Sequence, residues 1–147
     1  MLKLSTRSRY GIRAMLVLAM NGRKGPLMTK SIAETQNLPL TYLEQLMLAL
    51  RKSGLVAATR GAYGGYELAR DVDAIFLSEI VEALDGPIQL IDCSDTPSCV
   101  RDPQCCALKD VFENTNRALS DSLRVSLGEL ANLERKKHGA ESSMYYI

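Results

Sequence analysis

The sequence predicts a mainly α-helical protein with a small β-hairpin wing: a winged helix-turn-helix domain followed by a long C-terminal dimerisation helix. Apolar residues recur at helical spacing, a glycine-rich segment separates two short β-rich runs, and another apolar stripe follows four clustered cysteines. We expect the winged domain at 1–86, a cysteine-rich loop at 87–107, the dimerisation helix with a short terminal helix at 108–134, and a flexible tail at 135–147.

Three helices are predicted before the hairpin. The first begins at residue 5 or 6 and ends in the loop 21–26, where Gly and Pro oppose continuation. A short helix at 30–36 and a second at 40–53 flank a tight turn, which is the arrangement that enters a DNA major groove. The apolar stripe of the second helix faces inward. Its outward side chains are then Thr41, Tyr42, Glu44, Gln45 and Arg51.

A hairpin with a glycine-rich tip is predicted next. Residues 55–59 and 66–69 read as strands, and the segment between them is RGAYGG. Arg60 and Tyr63 occupy the tip, where an arginine can enter the minor groove of DNA. A plain surface turn is the alternative. The order of helix, helix, turn, helix and basic-tipped hairpin favours DNA binding.

The charge is divided unevenly along the chain. Although the net charge is +1, residues 1–70 hold 11 Lys and Arg against 3 Asp and Glu, and residues 71–147 hold 7 against 14. The basic half therefore suits double-stranded DNA. Because the sequence shows neither an 18-residue apolar run nor a signal peptide, we expect a cytoplasmic protein without membrane contact. The absence of C-x-x-C and phosphate-loop motifs argues against an enzyme.

Glu44 has two readings. Thr41 and Glu44 have the T-x-x-E spacing of a capping box, in which the glutamate accepts from a free backbone N–H at the helix start. A carboxylate in the first turn of a recognition helix can instead accept from a cytosine amino group. The residues alone favour the cap. Gln45 suits adenine, and Arg51 suits a phosphate, which positions the protein without reading the sequence.

A long helix is predicted after the cysteines. Apolar residues recur every three or four positions from Leu108 to Leu123, and a helix of this kind needs a packing partner. We expect the partner to be the same helix of a second subunit, giving a homodimer; packing within one subunit is the alternative. Ser126 and Glu129 then form an S-x-x-E helix start. His138, the only histidine, lies in the polar tail.

The cysteines suggest a cofactor. Cys93, Cys99 and Cys105 have the spacing C-x5-C-x5-C, and Cys106 follows directly. Structural zinc sites usually pair ligands at C-x2-C to C-x4-C, whereas thiolates spread along a loop can wrap an iron-sulfur cluster. A cluster is therefore the favoured hypothesis, and a thiol/disulfide switch, zinc and inert thiols are the alternatives. Cys105 and Cys106 also lie at a predicted helix N-terminus, whose dipole favours thiolates.

The ordered motifs resemble those of the IscR-type iron-sulfur cluster regulators, which include nitric-oxide-sensing and iron-responsive relatives. The matching segments, within about residues 1–130, are RYGIRAML, LTYLEQL, LRKSGLV, RGAYGGYELA and the spaced cysteines. The resemblance implies a homodimer that binds a DNA operator and carries a 2Fe-2S or 4Fe-4S cluster, with 2Fe-2S favoured. It assigns base contacts to Thr41, Tyr42, Glu44 and Gln45, the minor groove to Arg60, and the cluster to Cys93, Cys99 and Cys105.

One position departs from the IscR pattern. IscR regulators have a histidine ligand three residues after the third cysteine, where this chain has Leu108, which cannot ligate iron. Cys106, a residue of the partner subunit or an exogenous molecule is then the candidate fourth ligand. The resemblance further implies that cluster loss under iron limitation, oxidants or nitric oxide changes transcription. For Glu44 it reverses the preference for a cap.

Overall fold

The computed structural model describes residues 3–90 and 106–144, with side chains described through residue 140. These residues form six α-helices, one 3-10 turn and a two-stranded antiparallel sheet, which confirms the predicted helical fold with a hairpin wing. The elements are α1 (Thr6–Asn21), α2 (Thr29–Gln36), α3 (Leu40–Lys52), β1 (Val56–Thr59), β2 (Gly65–Leu68), a 3-10 turn (Val72–Ala74), α4 (Leu77–Asp85), α5 (Ala107–Ser122) and α6 (Leu127–Met144).

Helix α1 is the centre of the packing, because it contacts α2, α3, α4, α6 and β2. Its start is capped by Ser5, whose Oγ accepts from the backbone N–H of Ser8 at 3.0 Å. Gly11 lets α4 approach, since a Cβ there would overlap the side chain of Leu84. The fully buried large apolar side chains are Met15, Ile32, Leu43, Leu46, Met47, Leu50, Leu55, Ile75, Ile80 and Leu127. One core therefore joins the N-terminal helices to the start of α6.

The turn between α2 and α3 is held by backbone hydrogen bonds. Asn37 adopts the left-handed conformation with φ 51°, and its N–H donates to the carbonyl of Glu34. The N–H of the next residue, Leu38, donates to the carbonyl of Ala33 at 2.9 Å, which completes a Schellman motif. Leu38 is buried, and Pro39 supplies the extended N-cap from which α3 begins.

The wing consists of β1 and β2, within one residue of the predicted strands. A second backbone pairing supports it: Leu27 and Tyr66 exchange two N–H···O bonds of 2.9 and 2.8 Å. Gly65 permits this approach, because its φ is +151° and a Cβ would overlap the carbonyl of Leu27. The hairpin is therefore fixed to the body of the domain through the loop before α2.

Two carboxylates secure the ends of α4. At its start, Glu79 Oε2 accepts from the N–H of Phe76 at 3.0 Å, and Oε1 accepts from Arg70 Nη2 at 2.8 Å. At its end, Asp85 accepts from the hydroxyls of Ser5 and Ser8. The last turn of α4, which leads toward the cysteines, is thereby joined to the first turn of α1.

The linker between α5 and α6 pairs with the start of α4. The N–H of Leu77 donates to the carbonyl of Val125 at 3.0 Å, and that of Leu127 donates to the carbonyl of Ile75 at 2.7 Å. The capping box predicted from S-x-x-E is confirmed: Ser126 N donates to Glu129 Oε2, and Glu129 N donates to Ser126 Oγ. Helix α6 then packs against α1.

The C-terminal helices differ from expectation in length. Helix α6 has 18 residues and is longer than the 16-residue α5, so the expectation of a short terminal helix is wrong. Residues 135–144 continue α6, where a flexible tail was expected. This segment lacks an apolar stripe, but its Glu, Arg, Lys and Ala residues are good helix formers. No helix of the described residues has the length and apolar content that a membrane crossing requires.

Candidate nucleic-acid interface

The outer face of α3 is accessible and mainly polar. Its inner stripe is buried in the core, which fixes the rotation of the helix. Thr41, Glu44, Gln45 and Arg51, all predicted to face DNA, are exposed. The first three lie in the first two turns of the helix, the part of a recognition helix that reaches base edges, and Arg51 lies near its C-terminus.

Tyr42 lies at the edge of this face rather than fully on it. Its ring is half-buried and meets the ring of Tyr10 edge-on, with centroids 5.9 Å apart and planes at 82°. The guanidinium of Arg13 lies 5.6 Å from the centroid of Tyr10 and also donates to the side chain and carbonyl of Gln36. Tyr42 therefore helps to orient α3 on α1.

Glu44 does not cap α3, so the capping box expected from Thr41 and Glu44 is wrong. The helix begins one residue before Thr41, and its N-cap is Pro39, which has no side-chain cap bond. Thr41 is thus already helical, whereas a capping box needs its hydroxyl residue outside the helix. Within the described part of the chain, Glu44 has no hydrogen bond or ion pair, and its carboxylate points to solvent.

The wing tip carries an exposed arginine and an exposed tyrosine. Arg60 directly follows β1 and is exposed, and Tyr63 is 96% exposed. The tip turns tightly, since the N–H of Gly64 donates to the carbonyl of Gly61 and a Cβ at Gly64 would overlap the carbonyl of Thr59. An aromatic ring left this open in one chain is available to a partner surface.

The predicted cluster ligands Cys93, Cys99 and Cys105 lie outside the described residues. Cys106 is described: it is the N-cap of α5, half-buried and not in a disulfide. Leu108, the position at which the IscR resemblance implies a histidine ligand, is exposed two residues further along the chain. In residues 3–90 and 106–144 no group of three or more His, Cys, Asp and Glu side chains is placed to hold a metal.

The residues on both sides of the cysteine segment, which we define as residues 91–105, are attached to α5. The N–H of Leu90 donates to Asn116 Oδ1 at 2.6 Å, and Cys106 begins the helix itself. These two attachment points are separated along α5 by about 15 Å, at about 1.5 Å per residue. The sequence did not predict the role of Asn116, because a single asparagine within a helix carries no distinctive pattern.

Comparison with known proteins identifies the family. Residues 4–133 match the model of the Rrf2 family, which is described as an iron-dependent transcriptional regulator. The chain belongs to the Rrf2 family. As an Rrf2 protein it is a transcription regulator with a DNA-binding winged helix, and its relatives are named as regulators rather than as enzymes.

Two kinds of Rrf2 relative resemble the chain. The regulator CymR of Bacillus subtilis is 48% identical over 91 residues, 62% of this chain and 66% of that protein. Its solved structure, described as the global cysteine regulator, has a TM-score of 0.77 at 40% identity, covering 90% of this chain and 98% of that one. The regulator IscR of Cronobacter sakazakii is 37% identical over 136 residues, 89% of this chain and 81% of that protein. The structure of T. potens IscR has a TM-score of 0.71 at 36% identity, covering 89% and 87%.

Proposed function

We propose that this Rrf2 regulator is a homodimer whose operator binding is controlled by an iron-sulfur cluster held by Cys93, Cys99 and Cys105. The observation that carries the proposal is the attachment of the cysteine segment. Both of its flanks are held on α5, by Leu90 and by Cys106, and the linker after α5 pairs with α4 of the DNA-binding domain. A change at the cysteines therefore acts on α5, the helix that joins the two DNA-binding domains in the proposed dimer.

DNA binding uses α3 and the wing. In this proposal α3 enters the major groove, with Glu44 accepting from a cytosine amino group and Gln45 pairing with adenine. Thr41 and Tyr42 lie beside them at the N-terminal end, and Arg51 contacts a phosphate. Arg60 reaches the adjacent minor groove, with Tyr63 at the wing tip. The free carboxylate of Glu44 supports a base-reading role, because no contact in the described chain uses it.

The dimer forms through α5. Leu108 and Val111 are 59% and 57% exposed, and no residue of α5 is buried within one chain. Phe112, Thr115 and Leu119 share the same side of the helix at spacings of three and four residues. A helix of this kind needs cover, and the matching stripe of a second copy supplies it in a two-fold arrangement.

The donor set suits the cluster. Four-cysteine ligation is a standard arrangement for 2Fe-2S and 4Fe-4S clusters, and Cys106 completes such a set with the three spaced cysteines. Cys106 lies at the N-terminus of α5, whereas Leu108 has no donor atom. We favour the 2Fe-2S form. When bound, the cluster supplies a link among thiolates that iron loss, oxidants or nitric oxide remove.

Hydrogen bonds within the chain connect the cysteine segment to the domain that carries α3. Asn116 accepts a hydrogen bond from the N–H of Leu90, so the residue that leads into the cysteine segment is attached to α5. The hydrogen bonds of Leu77 with Val125 and of Leu127 with Ile75 fix the end of α5 to the domain that carries α3. The spacing of two half-sites is set by the DNA pitch. A small rotation of one DNA-binding domain relative to the other about α5 therefore changes which operators both domains can bind at once.

The test is purification without oxygen, followed by iron, sulfide and visible-absorption assays. The wild-type chain is expected to hold iron and sulfide in stoichiometric amounts. A variant with Cys93, Cys99 and Cys105 all changed to Ala should hold neither. Cys106→Ala should contain less iron and sulfide than wild type or have an altered visible absorption spectrum. A triple variant that keeps the wild-type absorption and iron content would refute the cluster assignment.

A thiol/disulfide regulator without a cluster is the second candidate. The similarity to a global cysteine regulator and the presence of Leu108 in place of a histidine ligand favour it. In that case the anaerobic protein contains no iron, and a thiol oxidant alone changes operator binding. A nitric-oxide- or iron-responsive regulator is a variant of the main proposal, and exposing the loaded protein to nitric oxide or to an iron chelator distinguishes the two signals.

A further inference from the structure

Helix α3 has two exposed large apolar side chains, Leu40 at its first residue and Leu48 in the middle of its polar outer face. Leu48 is 46% exposed, although the inner stripe of the same helix is fully buried. Residues three and four positions away are its neighbours on the helix surface. On the N-terminal side these are Glu44 and Gln45, and on the C-terminal side they are Arg51 and Lys52, all four exposed.

The proposed roles of these neighbours indicate where Leu48 lies relative to the DNA in the proposed complex. Glu44 lies about 6 Å earlier along the helix axis and Arg51 about 4.5 Å later, at about 1.5 Å per residue. Leu48 therefore lies between side chains that reach base edges and side chains that reach phosphates. In the proposed complex this location faces the edges of the base pairs in the major groove. A leucine there has no hydrogen-bonding group to offer to either.

We infer that Leu48 packs against the 5-methyl group of a thymine and is a specificity-determining residue of the operator complex. The inference rests on the proposed function, because it requires α3 to lie in the major groove. The thymine methyl is the apolar group that unmodified base pairs display there, and apolar side chains read it. Contact removes both apolar surfaces from water, and burial of one methyl-sized group corresponds to about a fourfold change in affinity.

The experiment uses the full-length homodimer and unmethylated duplex DNA. A preferred operator is first selected from random duplexes by the wild-type protein. Each thymine of one half-site is then replaced singly by deoxyuridine, which lacks only the 5-methyl group, and Kd is measured at fixed salt. The variants are Leu48→Ala, Leu48→Met as the conservative replacement, and Leu133→Ala as the control. Leu133 is 50% exposed on α6, outside the face presented by α3.

At one thymine position, the wild-type protein and Leu133→Ala are expected to bind the deoxyuridine duplex about fourfold more weakly. Leu48→Ala should bind both duplexes with the same Kd there, and Leu48→Met should keep part of the discrimination. An operator at which Leu48→Ala discriminates as the wild type does would overturn this inference alone. The inference would also be overturned if Leu48→Ala bound both duplexes more weakly than wild type by the same factor, because the difference between thymine and deoxyuridine would then be unchanged. If selection returns no preferred sequence, the proposed DNA reading by α3 fails first.

Discussion

Two glutamates of this chain follow a hydroxyl residue by three positions, in different surroundings. Glu129 exchanges two hydrogen bonds with Ser126 at the start of α6, whereas Glu44 has none with Thr41. Replacing Glu129 by Ala is expected to lower the free energy of unfolding by about 1 kcal/mol, typical of a lost cap. Glu44→Ala should change it by less than about 0.5 kcal/mol, as at a surface site.

Denaturant unfolding of both variants at one protein concentration measures this difference. Operator binding provides the complementary reading, because Glu44→Ala should lose about 1–3 kcal/mol of discrimination at a cytosine while Glu129→Ala keeps it. Equal losses of stability in the two variants would restore the capping role of Glu44.

Glu79 makes stability depend on pH. Burial raises the pKa of this carboxyl, but the hydrogen bonds from Arg70 and from the Phe76 N–H, with the Arg70 charge, bring it below the ordinary 4.5. A lowered pKa in the folded state adds stability that is present above about pH 4.5 and is lost as the pH falls through the folded value.

We therefore expect Glu79→Gln to be less stable than wild type at pH 6 and to approach it as the pH falls below 4.5. Urea unfolding across this pH range provides the measurement. Glu82→Gln on the same helix is the control, since Glu82 is exposed and no side-chain bond holds it within the described residues. A difference for Glu79→Gln that stays constant with pH would contradict this explanation.

At the scale of the elements, the wing depends on a glycine. Gly65 has a φ of +151° and lies against the carbonyl of Leu27, so Gly65→Ala combines backbone strain with a backbone clash. We expect a loss of about 1–3 kcal/mol in unfolding free energy, together with weaker operator binding through a displaced Arg60. Gly139→Ala is the matched control, because Gly139 is an exposed helical residue with open space around its Cα.

The control should act in the opposite direction. Alanine in the interior of α6 raises helix stability by about 0.5–1 kcal/mol relative to glycine and should leave operator binding unchanged. Circular dichroism and unfolding curves on both variants compare the two. A Gly65→Ala protein as stable as wild type would show that the Leu27 pairing does not hold the wing.

Elements with strong side-chain patterns could be predicted from the sequence. The hydrophobic stripe of α3 and the glycines around β1 and β2 placed those elements within one residue. The start of α3 was predictable only in part, because Pro39 sets the N-cap and moves Thr41 into the helix. The bonds that join α4 to the α5–α6 linker are made by backbone groups, which leave no signature in side-chain sequence.

The candidate site was predictable by residue type but not by orientation. The exposed positions Glu44, Gln45 and Arg51 follow from the period of a helix with one buried face. The half-burial of Tyr42 does not, because it depends on Tyr10, 32 positions earlier in the printed sequence. The roles of Cys93, Cys99 and Cys105 stay predictions from spacing and resemblance.

Operator binding by the whole molecule, as proposed, depends on the dimer. Val111 is exposed on the apolar side of α5, so Val111→Glu places a charge in the proposed interface. We expect this variant to be monomeric at micromolar concentration and to bind a two-half-site operator at least tenfold more weakly, since joint binding of the two DNA-binding domains is lost. Sedimentation and operator titration measure both effects.

Arg117→Gln is the control for Val111→Glu. Both substitutions lower the net charge by one, and Arg117 is exposed opposite the middle of the apolar side of α5, about 120° around the helix from Val111. Arg117→Gln should remain a dimer with operator affinity close to wild type. A dimeric Val111→Glu protein would mean that another surface joins the subunits.

Control of DNA binding by the cysteine segment is the central claim, and one titration tests it most directly. Anaerobically purified protein is divided, one half is stripped of iron by a chelator, and both halves are titrated with the selected operator at the same salt and reductant. We expect the two Kd values to differ by about tenfold or more, a coupling of about 1.4 kcal/mol. The variant with Cys93, Cys99 and Cys105 changed to Ala should match the stripped wild type. Equal Kd values for the loaded and stripped wild-type protein would contradict the claim.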